Sequence, residues 1–286
     1  EVPMFNRPPV IVHRGLMVAA ALSLMSAPLV DSHAFDAPEM ATVGTLGSPS
    51  RVVTADFNND GLLDFATISF NDAFVESYIQ GAGRAFNAMP DPHQEFMGRG
   101  SADVAVADFN LDGLPDVAVL NSSAAGAAVY LNDGVGNLEM VVRNVVGDIA
   151  VGLAVGDWNG DNVPDLAIVN RGNGGLLQWM LGVGDGTMVD GPRRAHRGRE
   201  LVIGGNPRAA LSGDFDGNGT TDIAVLQEGA SRVVIFGWNG VEFGVIGAGT
   251  TIRPARGMTA GDFDGDGDLD IATADREGHI VVGYNE

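Results

Sequence analysis

The chain has 286 residues, 45% of them apolar, with 41 glycines and no cysteine. That balance suits a turn-rich globular protein and leaves disulfides out of its stabilisation. The formal net charge is −21 and all 16 basic residues are Arg, which argues against nucleic acid as a partner, since phosphate backbones are bound by clustered cations.

Residues 1–34 read as an export segment. Arg7, His13 and Arg14 precede an apolar run from Gly15 to Met25, and Ser32 and Ala34 occupy the −3 and −1 positions of a cleavage site. A retained membrane anchor is the alternative reading. However, Gly15 to Val30 contains Pro28 and is shorter than the roughly 20 residues a spanning helix needs. The expected location is therefore secreted, periplasmic or cell surface, with membrane association only if this segment is retained.

From residue 35 onward the pattern is β. Short β-branched segments such as Arg51–Ala55, Val117–Leu120, Leu166–Val169 and Val233–Phe236 are bounded by Gly, Asn and Asp. Between them a nine-residue acidic loop recurs five times, starting at Asp56, Asp108, Asp157, Asp214 and Asp262. Side-chain oxygens fall at loop positions 1, 3, 5 and 9, and Gly stands at position 6 in all but the third loop, which has Asn162. Such an oxygen-rich turn is what a hard cation requires. Asp at these positions accounts for 16 carboxylates, so five bound divalent ions would cancel about half of the net negative charge.

Successive loops start 52, 49, 57 and 48 residues apart, a period that implies a propeller or another repeat array. An aromatic follows each leading Asp (Phe57, Phe109, Trp158, Phe215, Phe263), and Ala stands ten residues on in every copy. Another aromatic stands 22 residues on: Tyr78, Tyr130, Trp179, Phe236 and Tyr284. The span from the loop to this ring is predicted to run without insertion in any copy. Each unit reads as four strands, one propeller blade.

The predicted fold is an all-β propeller of about five four-stranded blades in a single domain over 35–286, with repeats at about 50–100, 101–149, 150–205, 206–255 and 256–286. Segment 35–49 is expected to supply the strand that completes the last blade and closes the ring. A fragment of a seven-bladed ring is the alternative.

The loops Asp-Phe-Asn-x-Asp-Gly-x-x-Asp, with Gly81–Phe86 and Gly182–Gly186, resemble the FG-GAP/VCBS repeats of integrin α-subunit propellers and many bacterial surface proteins. The resemblance covers nearly all of 35–286 and implies up to five Ca²⁺. The ligands it implies in the first loop are Asp56, Asn58, Asp60, the Leu62 carbonyl and Asp64. The second loop would use Asp108, Asn110, Asp112, the Leu114 carbonyl and Asp116, and the third Asp157, Asn159, Asp161, the Val163 carbonyl and Asp165. The fourth would use Asp214, Asp216, Asn218, the Thr220 carbonyl and Asp222. The fifth, with Asp262, Asp264, Asp266, the Asp268 carbonyl and Asp270, is the most acidic and the expected tightest site.

Enzyme signatures are missing: there is no Gly-x-Ser-x-Gly, no His-Glu-x-x-His and no P-loop. The expectation is a binding module for a protein partner, with a calcium-dependent, lectin-like module for a surface polysaccharide as the alternative. Trp238 and Trp179 are the candidate rings for such a ligand, although the 22nd-position aromatics as a set read better as core packing. Arg193, Arg194, Arg197 and Arg199 lie in the longest unit and form a basic insertion that would dock an acidic partner or remain a solvated loop.

Overall fold

The computed structural model describes residues 42–45, 48–69, 75–89, 100–147, 149–190, 200–240, 242–251 and 253–285. The export segment, most of the expected closing strand and the Arg193–Arg199 insertion lie outside them. Among the described residues no helix is long and apolar enough to cross a membrane.

Five antiparallel sheets follow one another along the chain as the blades of a β-propeller. Blade 1 comprises β1 (Pro49–Ala55), β2 (Asp64–Ser69), β3 (Val75–Gln80) and β4 (Phe86–Ala88). Blade 2 comprises β5 (Ser101–Ala107), β6 (Asp116–Asn121), β7 (Gly126–Asn132) and β8 (Leu138–Val145). Blade 3 has β9 (Ala150–Gly156), β10 (Asp165–Asn170) and β11 (Leu176–Gly182), with an outer position divided between β12 (Met188–Asp190) and β13 (Glu200–Val202). Blade 4 is β14 (Pro207–Gly213), β15 (Asp222–Gln227), β16 (Arg232–Trp238) and β17 (Phe243–Thr250). Blade 5 shows β18 (Gly257–Gly261), β19 (Asp270–Ala274) and β20 (Ile280–Gly283). Of the segment expected to complete blade 5, residues 42–45 and 48 carry no strand and residues 35–41 are not described.

The second strand of each of blades 2, 3 and 4 is buried along its whole length, which explains why these strands read as continuous apolar runs rather than alternating ones. The core consists of clusters that bridge successive blades. One joins Phe57 and Ile68 of blade 1 to Val119 and Tyr130 of blade 2. Others join Phe109 and Leu120 to Leu153 and Ile168, and Trp158 and Trp179 to Phe236 and Phe243. No blade buries both of its faces alone, so the apolar surface leaves water only when neighbours stack.

The uninterrupted span expected between loop and ring does not hold. Val117 pairs with Tyr130 and Ile223 with Phe236, but the equivalent Leu166 pairs with Met180, and Ile271 with Gly283. The hairpin is one residue longer in blade 3 and one shorter in blade 5. Because strand side chains alternate faces, a one-residue slip sends a ring to the other side. Tyr130 packs toward blade 1, whereas Trp179 packs toward blade 4 and Tyr284 is 61% exposed.

Blade 3 has a divided outer edge. β12 pairs with residues 180–182 of β11, and β13 with residues 176–178. The outer edge of the sheet is thus divided between a strand that ends at Asp190 and one that begins at Glu200.

Candidate metal centres

Each acidic loop joins the first strand of a blade to the second, and its fold follows from short side chains capturing nearby backbone N–H groups. In the first loop Asp56 Oδ1 accepts from the Asp60 N–H at 3.0 Å and Oδ2 from Gly61 at 2.8 Å. Asn58 Oδ1 accepts from Asp60, and Asp60 Oδ1 from Leu62 at 2.8 Å. The second loop repeats these bonds through Asp108, Asn110, Asp112 and Leu114, and the third through Asp157, Asn159, Asp161 and Val163. In the fourth, Asp214 and Asp216 accept from Asn218, and Asn218 accepts from Thr220. In the fifth, Asp262 accepts from Gly265 and Gly267, Asp264 from Asp266, and Asp266 from Asp268 at 2.9 Å.

Position 6 is left-handed in every copy, with φ of 86° at Gly61, 87° at Gly113, 84° at Gly219 and 101° at Gly267. Asn162 takes the same conformation at φ 67°, as a residue tolerant of that region can. Position 4 is left-handed as well: Asn59 at 59°, Leu111 at 61°, Gly160, Gly217 and Gly265. Asn and Gly at four of the five copies are the sequence signal for this second constraint, and Leu111 conceals it.

The closing Asp at position 9 differs from the rest because it opens the second strand and is buried. Asp64, Asp116, Asp165, Asp222 and Asp270 are all 0 or 1% exposed. One oxygen of each accepts the N–H of the aromatic at position 2, at 2.8–3.0 Å. The other accepts from the third strand through Gln80, Asn132 and Gly182 in blades 1 to 3, and from Asn285, two residues past the third strand, in blade 5. In blade 4 that bond is absent, and Asp222 Oδ1 is a buried acceptor without a hydrogen-bond partner.

Burial pushes the carboxyls of Asp116, Asp165 and Asp222 up to about 6, against the pull of their backbone N–H donors and with the help of neighbouring loop carboxylates. Buried anions held beside further anions are costly, and a cation in the loop removes that cost.

The residues present fit such a cation. Carboxylate oxygens of Asp214, Asp216 and Asp222 lie within 4.8 Å of one another, as do those of Asp262, Asp264 and Asp270. With the orphaned Oδ1 of Asp222, they form hard oxygen donor sets. In the first three loops position 3 is Asn, so the donors there are a carboxamide together with carboxylates.

The loops are also fastened to their neighbours. The Asn132 side chain of blade 2 donates to the Phe57 carbonyl in the first loop at 2.7 Å, and Asn285 of blade 5 donates to the Phe215 carbonyl in the fourth at 2.6 Å. Between blades 3 and 2 the Gly186 N–H makes the same connection to the Phe109 carbonyl at 3.1 Å. Reading the residues alone missed these latches, because the one-residue hairpin differences put the two Asn at different distances from their loops.

The proposed ligand rings lie elsewhere. Trp179 is 4% exposed and meets Trp238 edge-on at 5.9 Å and Phe243 at 5.5 Å. Trp238 is half-buried against Phe243 at 5.0 Å. Three aromatics here fill the junction of blades 3 and 4.

Comparison with known proteins agrees with this geometry. A family model described as FG-GAP-like repeat matches residues 108–168, 157–225 and 214–273, each match starting on a loop's leading Asp and running through the next loop. Among solved structures, a protein from Lactobacillus plantarum superposes with a TM-score of 0.56 at 15% identity, covering 82% of this chain and 70% of that one. BBS1N, solved in complex with ARL6DN in crystals soaked with lead, gives a TM-score of 0.47 at 12% identity over 83% of this chain and 79% of its own. No curated protein matches the chain. With more than half of its length matched in three consecutive copies, the chain belongs to the FG-GAP-like repeat family.

Proposed function

We propose that this propeller is a calcium-stabilised binding module, secreted, periplasmic or displayed at the cell surface, that acts through protein–protein interaction as an adhesion module or a subunit of an extracytoplasmic assembly. The observation that carries the calcium reading is the loop set itself: five oxygen-lined turns, each ending in a buried carboxylate bonded to the position-2 N–H, with three of these carboxyls raised by burial. Bound Ca²⁺ would neutralise the Asp carboxylates at positions 1, 3, 5 and 9, three in each of the first four loops and four in the fifth, and hold each first strand against its second. Since the latches run from the loops to the next blade, metal in one loop also fixes the angle between blades.

The chain's own contribution to recognition is rigid presentation, with variable segments displayed on a fixed frame. Support comes from the outer edge of blade 3, where one strand ends at Asp190 and the next begins at Glu200, and from the sequence between them, which carries Arg193, Arg194, Arg197 and Arg199. The lectin-like alternative loses support from the burial of Tyr78, Tyr130 and Trp179. No catalytic role is assigned.

The test is thermal unfolding of the mature protein in millimolar Ca²⁺ and in chelator, run beside partner capture by the intact chain and by a variant with residues 191–199 replaced by a Gly/Ser linker. Loss of capture with unchanged calcium-dependent unfolding supports the module. A glycan-array signal that requires Ca²⁺ and disappears in Trp238→Ala would replace it with the lectin reading.

A further inference from the structure

The second strands of blades 3 and 4 run from a metal loop to the turns that hold Arg171 and Glu228, six residues away in each case, about 20 Å at strand rise. At that far end, remote from the acidic loops, three guanidinium groups from three blades surround one carboxylate. Arg256 Nη1 lies 2.8 Å from Glu228 Oε1, and Arg208 Nη1 and Arg171 Nη2 lie 3.5 and 3.6 Å from Oε2. Two of the side chains are braced by backbone: Arg208 Nε donates to the Arg256 carbonyl at 2.9 Å and Arg171 Nε to the Pro207 carbonyl at 3.3 Å. Their positions are held by the fold rather than by Glu228 alone.

One carboxylate cannot balance three guanidinium groups. Among the described residues the cluster carries an excess of two positive charges, and the exposed Arg276 of the blade 5 turn adds to its field. Burial lowers the Arg208 guanidinium from its ordinary value. Glu228 acts against that, while Arg256, Arg171 and Arg276 act with it. Each Arg side chain is still 30–32% exposed, so the cluster is open to solvent. Converging, braced and partly desolvated guanidinium groups are a recognition device for oxyanions.

We infer that the Arg171–Arg208–Arg256 cluster is an oxyanion-binding site, formed where blades 3, 4 and 5 meet, that takes a doubly charged tetrahedral group of the phosphate or sulfate type. The group is either a free ion or the terminus of a phosphate ester, and Glu228 spaces the three forks around it. This site stands apart from the metal loops in place and in sign of charge.

The test is calorimetric titration of the full chain with sodium sulfate, as the free dianion, and with phenyl phosphate, as the ester-borne one, against sodium chloride at matched ionic strength. The same titrations are made on Arg208→Gln, Arg256→Gln and, as a surface control, Arg84→Gln. Binding of sulfate or phenyl phosphate at one equivalent, weakened about tenfold by either cluster variant and unchanged by the control, is the expected result. Phenyl phosphate binding alone assigns the site to esters, and sulfate binding of equal strength assigns it to the free ion. To separate lost binding from lost fold, Arg side-chain Nε–Hε resonances are followed in the wild type. Sulfate-dependent shifts confined to Arg171, Arg208 and Arg256 support the site. Shifts no larger than chloride produces, or equal binding by the cluster variants, overturn it.

Discussion

The Asn132 side chain donates a 2.7 Å hydrogen bond to the Phe57 carbonyl, 75 residues earlier in the chain and in the preceding blade. Both partners are buried, and the Asn132 N–H is itself held by Asp116, the closing residue of its own acidic loop. One side chain thus couples the loops of blades 1 and 2. Removing it strands a buried carbonyl, a loss worth about 1–3 kcal/mol. Asn132→Ala is expected to lower the unfolding free energy by that amount, read as a lower urea midpoint at an unchanged slope. An equal midpoint would show that the latch adds nothing to blade stacking.

Calcium should dominate the stability of the whole ring. At 1 mM Ca²⁺ and a dissociation constant of about 10⁻⁴ M, each occupied loop contributes about 1.4 kcal/mol by mass action. Titration of the chelated protein is expected to approach five equivalents. Asp266→Ala, which removes a carboxylate from the most acidic loop, should abolish the tightest step and leave the other four. Retention of that step would place the tightest site in another loop.

Leu111 holds a left-handed φ of 61° while 53% exposed, a conformation that costs a side chain with Cβ about 1–2 kcal/mol. The first loop has Asn59 at the same position. Leu111→Asn should therefore raise stability by about 0.5–1 kcal/mol. Thermal melts with and without Ca²⁺ check this, and a fall in both would mean that Leu111 packing outweighs its backbone strain.

In blade 5 the Asp275 carboxylate accepts from the N–H groups of His279 and Glu277 and lies 2.8 Å from His279 Nδ1. The backbone bond from His279 comes first among the causes that hold its carboxyl down at about 2. A depressed folded-state value means the bonds favour folding above the unfolded carboxylate range, near 3.9. That contribution is lost as pH falls through about 2. Carboxyl carbon NMR should find Asp275 titrating near the bottom of the acid range, and His279→Ala should move its midpoint upward. An ordinary midpoint in the wild type would contradict the turn geometry.

The five loops, the repeat and the blade architecture are legible in the residues alone, because each depends on local chemistry. Asp and Asn fold a turn by capturing adjacent N–H groups, position 6 requires Gly or Asn for its left-handed φ, and β-branched runs with turn residues at a near-constant period have few other folds. What depends on pairing across strands and blades is visible only in the folded chain. Trp179 and Tyr130 stand equally far from their loops in sequence, yet one extra residue in the blade 3 hairpin turns them to opposite faces, since strand side chains have a period of two and distance along the chain is blind to hairpin length. The split outer strand of blade 3, the Asn132 latch and the gathering of Arg171, Arg208 and Arg256 around Glu228 are non-local in the same sense. No spacing encodes them, because stacked blades supply the partners.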